Sequence, residues 1–328
     1  MRIASLAALA GLLACSTPSP GTPWAPTFDA SQAGWLLDTW GPSPSDLYSV
    51  GGTTTAGAVM HFDGQSWSPL SLGVATPLLN WCFGFGPDDV TMVGNGGTVL
   101  HFDGKTWQQQ PTPTTQNLWG VWGAAPNDLW SVGGDGLADG QATLLHFDGA
   151  AWTAQALPSL QKANVWQLLK VWGTAATNVY AVGQRGVVLH FDGTAWSEEL
   201  AGASDDLVSL WGTGPDRIVA VGGRSNGIVS VWDGTSWHTT DLAPAPGLNG
   251  VWMRTPTKAH VVGTYGTLGV LDLGTMKLTT IDPPTPLDFH SVFGDSSGRL
   301  FAVGGNLATA NPPAYQGVAY TRLLGSDE

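Results

Sequence analysis

The sequence predicts an all-β fold: a seven-bladed β-propeller of four-stranded antiparallel blades, closed by an N-terminal strand that completes blade seven. Three observations predict it. An aromatic residue recurs at Trp40, Phe83, Trp122, Trp172, Trp211, Trp252 and Phe293, in steps of 43, 39, 50, 39, 41 and 41 residues. Ten residues after each stands the valine of a Val-Gly pair, from Val50 to Val303, and four residues before each stands an apolar residue, from Leu36 to Phe289. A third element reads HFDGQSW (61–67), HFDGKTW (101–107), HFDGAAW (146–152), HFDGTAW (190–196) and VWDGTSW (231–237), then decays to LDLGTMKL (271–278). Units of about 40 residues that each lie between two neighbours are the signature of propeller blades.

Each repeat parses into four strands. Strand A is L-x-x-V-W-G, strand B is D-L-Y-S-V-G, strand C is G-T-V-L-H-F, and strand D starts at the Trp after Asp-Gly. Asp-Gly between two β-prone runs is a strong hairpin signal, because Gly accepts φ > 0 without a steric penalty. Runs such as GTVLHF are apolar on both faces, as a sheet covered on both sides requires. A helical alternative fails because no segment after the N-terminal leader has a 3.6-residue apolar period. A solenoid would need polar capping repeats, and the terminal copies have none. The seventh copy ends at AYTRLLG (319–325) without a fourth strand, whereas GTPW at 21–24 echoes GTAW at 193–196 and Trp24 precedes Trp67 by a normal step of 43. The N-terminal segment is therefore expected to supply the outer strand of blade seven.

Residues 1–14, MRIASLAALAGLLA, read as a secretory signal peptide, too short for a mature membrane span. The run ends in Leu12, Leu13, Ala14 and Cys15, which resembles the lipobox of bacterial lipoproteins, with Leu13 a less usual residue at its position. That resemblance implies diacylglyceryl transfer to the Cys15 thiol and cleavage before it, and Ser16 in place of Asp implies export to the outer membrane. The expected layout is a signal peptide at 1–14, a lipidated Cys and short tether at 15–23, and the propeller at 24–328. Cys82 is then left without a disulfide partner, and no other segment is long and apolar enough to cross a membrane.

The repeats themselves resemble the Asp-box (BNR) and photosystem II stability-factor type of propeller repeat, with one residue fewer between Asp and Trp (DGKTW). They are also similar to the V-W-G repeats of predicted deltaproteobacterial lipoproteins. The resemblance covers nearly all of 24–328 and implies the fold; it says little of function, because propellers host many.

Composition removes several function classes. Lys+Arg is 12 against Asp+Glu 25, a net charge of −13, and 11% of residues are charged. Nucleic-acid binding wants clustered Lys and Arg. His61, His101, His146 and His190 fall at one place in successive blades, so a ring holds them too far apart for a zinc ion, whose ligands sit about 2.0–2.1 Å away. Asp63, Asp103, Asp148, Asp192 and Asp233 repeat likewise and read as turn residues accepting nearby backbone N–H groups, not as calcium ligands. No metal or cofactor is expected. There is no G-x-S-x-G, and Cys82 reads as a small buried hydrophobe. A sialidase-like hydrolase needs several convergent arginines. Arg217, Arg254 and Arg299 fall in A–B loops, on the opposite face from Arg185 and Arg224, so no enzyme is expected.

What varies between repeats points to a site. Most Trp residues occupy repeated packing positions, and four do not: Trp35, Trp81, Trp119 and Trp166. All four lie near the D–A connections that reach one face of the ring. The longest connection, 153–167, and a long B–C loop, Gly133–Gln141, meet that face near Trp119 and Trp166. Exposed aromatics there would anchor a protein or stack on a sugar; the plainer reading is that they cover the core. Gln184, Arg185, Arg224 and Asn226, beside Asp205 and Asp206, form a second polar candidate whose plainer reading is a solvated surface. The sequence thus points to a monomeric, membrane-anchored envelope lipoprotein whose non-enzymatic propeller binds a protein partner. A polysaccharide-binding propeller is the alternative, ahead of the hydrolase.

Overall fold

The computed structural model describes residues 21–31, 33–136, 140–307, 315–325 and 328. The expected signal peptide and Cys15 lie outside these residues, as do parts of the 133–141 and 305–316 insertions. The described chain forms seven antiparallel four-stranded sheets arranged as the blades of a propeller. Blade one runs Trp35–Ser43, Asp46–Gly52, Gly57–Phe62 and Trp67–Pro69, strands A to D. Strand A of the following blades is Leu79–Gly86, Leu118–Ala125, Leu168–Ala175, Leu207–Gly214, Leu248–Thr255 and Asp288–Gly294.

The ring closes as the sequence predicts. Blade seven takes Asp288–Gly294, Arg299–Gly305 and Gly317–Leu323 from the C-terminal end, and Ala25–Pro26 pairs onto the last of these with Ala25 opposite Thr321. Thr22 extends the pairing: its N–H reaches the Leu323 carbonyl at 2.9 Å and its hydroxyl oxygen accepts the Leu323 N–H at 2.8 Å. Trp24 packs beside Trp252, Phe289 and Tyr320.

The hairpin signals act as expected. The Oδ1 of Asp63, Asp103, Asp148, Asp192 and Asp233 each accepts the N–H groups two and three residues on, at 2.8–3.0 Å. These bonds favour the ionised form and hold the carboxyls below the ordinary carboxylate range. The decayed sixth copy keeps the device, with Asp272 Oδ1 accepting the Gly274 and Thr275 N–H groups. The strand C histidines tie strand C to the start of strand B in their own blades: His61, His101 and His146 meet Asp46, Asp89 and Asp128 at 2.7, 3.0 and 2.8 Å, and His190 meets Asn178 at 2.8 Å. Among the described residues no group of three His, Cys, Asp or Glu could hold a metal ion.

The core is a series of inter-blade clusters. Trp130 of blade three lies against Phe191 and Trp196 of blade four, and Trp152 of blade three donates its indole N–H to Gln110 of blade two at 2.7 Å. Strand B carries the central core position, occupied by Tyr48, Trp130, Tyr180 and Phe301 in four blades and by His260 in blade six. His260 is 3% exposed and its Nε2 has no hydrogen-bond partner.

Burial pushes His260 down to about 4, against the pull of Glu328. In the unfolded chain it titrates near 6.5. Between those values the unfolded state binds the extra proton, so stability is full above about pH 6.5 and falls as the pH drops toward 4. His290, pushed down to about 4 by burial and by Lys170, adds to the same slope. His260→Phe is expected to flatten the pH 4–6.5 stability profile by on the order of 1–3 kcal/mol, measured by urea unfolding at stepped pH. An unchanged slope would show that folding does not depress the His260 pKa.

Candidate functional site

Strand A carries an irregularity in every blade. Its pairing with strand B slips between Leu36 and Asp38, Leu79 and Trp81, Leu118 and Gly120, Leu168 and Lys170, Leu207 and Ser209, Leu248 and Gly250, and Phe289 and Ser291. The skipped residue is a β-bulge, which re-aims a side chain out of the pleat. The skipped residues are Leu37, Asn80, Trp119, Leu169, Val208, Asn249 and His290, and all of them line one depression at the mouth of the central channel, with Gln167, Arg224 and Leu307 beside them. The fold therefore delivers one non-repeating side chain per blade to a common surface.

The next position along strand A forms the layer beneath: Asp38, Trp81, Gly120, Lys170, Ser209, Gly250 and Ser291. Five of its side chains, Asp38, Trp81, Lys170, Ser209 and Ser291, line a cavity of about 130 Å³ within the channel, bounded further in by Trp40, Phe83, Trp122, Trp172, Trp211 and Phe293. Asp38 is 1% exposed. It accepts the Ser291 hydroxyl at 2.7 Å and the Cys82 N–H at 3.1 Å, and the Cys82 thiol lies 3.5 Å from it. Burial nevertheless raises its carboxyl to about 6, opposed by Lys170 across the channel. Lys170 is 8% exposed, and burial lowers it to about 7 against the pull of Asp38. Its Nζ rests 2.9 Å from the centroid of the Trp81 ring. The Cys82 thiol, buried beside Asp38, is pushed well up.

The candidate residues scatter over this frame. Trp119 sits at the mouth, half-buried, with its indole N–H donated to the Gly134 carbonyl at 2.8 Å. Gly134 has φ of +132°, and a Cβ there would stand 2.1 Å from the Trp166 carbonyl oxygen, so glycine lets the blade-three loop close onto the 153–167 connection. Trp166 is half-buried, and its N–H is donated to Gln184 at 3.0 Å. Leu157, Leu160 and Val165 of that connection pack on the core beneath. Trp81 lies inside the channel under Lys170. Trp35 is 7% exposed, with its indole N–H spent on Asn306 of blade seven at 2.8 Å, so it belongs to the seam between the first and last blades.

The two arginines behave differently from each other. Arg224 reaches the mouth, and its Nε donates to Asp206 at 2.8 Å. Arg185 is exposed in a B–C turn at φ +58°, and Asp206 holds its backbone N–H at 2.8 Å. The same stitch recurs where Asn117 holds the Gly96 N–H and Asp288 holds the Tyr265 N–H, with Gly96 at φ +65° and Tyr265 at +55°. Tyr265, 76% exposed, is the most exposed large hydrophobic residue described, and sequence reasoning passed over it. It also passed over Asp38, Lys170 and His290. Their one signal is that they occupy the two variable places of L-x-x-V-W-G.

No family model matches the chain, and no curated protein does. Solved propellers do. A structure titled YCF48 bound to D1 peptide superposes with a TM-score of 0.66 at 17% identity, covering 92% of this chain and 97% of that one. YCF48 from Cyanidioschyzon merolae gives 0.67 at 14%, with 92% and 99% covered. A streptogramin B lyase gives 0.71 at 9%, with 92% and 97% covered. At these identities the likeness shows the fold alone, and both binding propellers and a lyase share it.

A non-glycine residue in the left-handed region costs about 1–2 kcal/mol, and blade two uses glycine at this turn position. Arg185→Gly is therefore expected to raise stability by up to about 1 kcal/mol after the entropy cost of glycine is subtracted, measured by urea unfolding. A loss of stability would assign the Arg185 side chain a structural duty.

Proposed function

We propose that this chain is a lipid-anchored cell-envelope protein whose propeller binds a protein partner through the channel mouth and catalyses no reaction. The observation that carries the reading is the ring of bulge residues: seven blades each place one variable side chain there, and Leu37, Trp119, Leu169, Val208 and Leu307 give it an apolar floor beside Arg224. Aromatic and arginine side chains on an apolar floor are the usual anchors of protein interfaces. Long loops on a rigid scaffold add adaptable surface at its edge. The structure of YCF48 with a D1 peptide is a precedent for a peptide bound to this fold.

The anchoring half of the proposal rests on the LLAC sequence ending at Cys15. A tether from Ser16 to Gly21 spans roughly 20–22 Å when fully extended and joins blade seven at its A–B turn end, where Thr22 pairs with Leu323. This keeps the propeller close to the membrane with its mouth turned away from it, toward a neighbouring envelope protein. A second reading, recognition of polysaccharide, draws on the amides of Asn80, Gln167 and Asn249 beside Trp119, since sugar sites pair an aromatic face with amides.

Crosslinking of tagged protein in its native cells, beside a Trp119→Ala/Arg224→Ala variant of unchanged circular dichroism, tests the binding claim. A partner crosslinked to the parent and lost in the variant is expected; partners retained by the variant would remove the mouth from the interface. Cys15→Ala should move the protein out of the membrane fraction, and its retention there would overturn the anchor.

A further inference from the structure

The channel layer beneath the mouth breaks the repeat with two charged residues that face each other across the ring. Four of the seven places in this layer hold Gly or Ser, and only Asp38, Trp81 and Lys170 carry large side chains. Asp38 belongs to blade one and Lys170 to blade four, close to opposite in a sevenfold ring. Asp38 is held by donors from blades seven and two. Lys170, by contrast, is 8% exposed and makes no hydrogen bond among the described residues; its amine rests on the Trp81 ring face. A buried amine with no hydrogen-bond acceptor is costly as a structural element. It is also close to the arrangement that makes a lysine nucleophilic: an amine with little water around it, set among aromatic walls.

The cavity has the size and the walls for a guest. Its volume of about 130 Å³ is framed by Trp40, Trp122, Trp172 and Trp211, and Lys170 lines both this cavity and the mouth depression, so it stands where a molecule entering from the mouth arrives. An apolar cavity of about 150 Å³ takes up benzene, so this smaller one, with Asp38, Ser209 and Ser291 in its walls, suits a guest of about four or five carbons.

We propose that Lys170 captures a small carbonyl compound, an aldehyde or ketone of about butanal's size, as a reversible imine in the channel. The Nζ lone pair attacks the carbonyl carbon, forming the N–C bond while the carbonyl oxygen takes up a proton. That proton comes from the nitrogen, whose second proton follows as the C–O bond breaks, and the oxygen departs as water. Asp38, the carboxyl facing Lys170 across the cavity, relays the proton from nitrogen to the departing hydroxyl. No oxidant or reductant takes part, and hydrolysis reverses the capture. The other titratable groups facing Lys170 are the Cys82 thiol, buried against Asp38, and the His290 imidazole, whose Nε2 is buried without a partner; Arg224 stands above them at the mouth. Burial disfavours the charged forms of the Lys170 amine and of His290, which leaves the amine free to react near neutral pH.

The test uses the purified full chain, butanal and cyanoborohydride at pH 7, with residue-level mass spectrometry of the reduced adduct. The exposed lysines Lys105 and Lys277 are internal references. Lys170 is expected to be labelled at least about tenfold faster than either, with the preference shrinking toward pH 10, where every amine is neutral. A pyrene carboxaldehyde, too large for the cavity, should show no preference. Asp38→Asn should slow labelling of Lys170 without altering that of Lys105, in protein whose circular dichroism matches the parent. Labelling of Lys170 at or below the rate of Lys105 in the folded parent protein, or equal preference with the pyrene aldehyde, would overturn the proposal.

Discussion

One buried carboxylate ties the ring together where its first and last blades meet. Asp38 in blade one accepts the hydroxyl of Ser291 in blade seven and the backbone N–H of Cys82 in blade two, so one side chain ties three consecutive blades around the channel. Desolvation penalises such a charge heavily, and the donors converging on it are what make it tolerable. Ring closure needs this kind of help because the joined segments lie nearly the whole chain apart, and bringing such distant ends together carries an entropy cost. Ala25–Pro26 on the outer edge of blade seven and the Trp35–Asn306 hydrogen bond secure the same seam further out. A closed ring gives the channel a fixed cross-section, and a fixed cross-section gives the mouth its shape.

The architecture was legible because it rests on repetition. Val-Gly at a constant offset, Asp-Gly before Trp, and the missing fourth strand of the last copy each have one structural solution, and the structure adopts it. The turn aspartates and strand C histidines were legible for the same reason: any residue a ring repeats at one radius is held apart from its copies and serves its own blade. Even the decayed turn at Asp272 keeps its hydrogen bonds.

The site was less legible because it lives where repetition stops. Four tryptophans outside the repeat were visible, but their burial was not. Trp35 is consumed by the seam, Trp166 lies against the loop that closes over Gly134, and Trp81 lies under a lysine. Only Trp119 of the four reaches the mouth depression. The bulge that sends Trp119, Asn80 and His290 to a common rim is a one-residue slip in pairing, which leaves no mark in composition or period. Asp38 and Lys170 stand 132 residues apart in the sequence and face each other only once the sheet has closed. Tyr265 escaped notice because nothing in its sequence context announces a left-handed turn with its side chain facing solvent.

A rigid ring with a variable rim makes one directional claim: partners meet the face that carries the bulge residues, not the face of the A–B turns. A photo-crosslinking residue at Val208 on the rim, compared with one at Phe85 near the A–B turn of blade two, tests that claim in living cells. Both positions are at least partly exposed. The account predicts a protein adduct from position 208 and none from position 85. An adduct from position 85 alone, or no adduct from position 208, would contradict it.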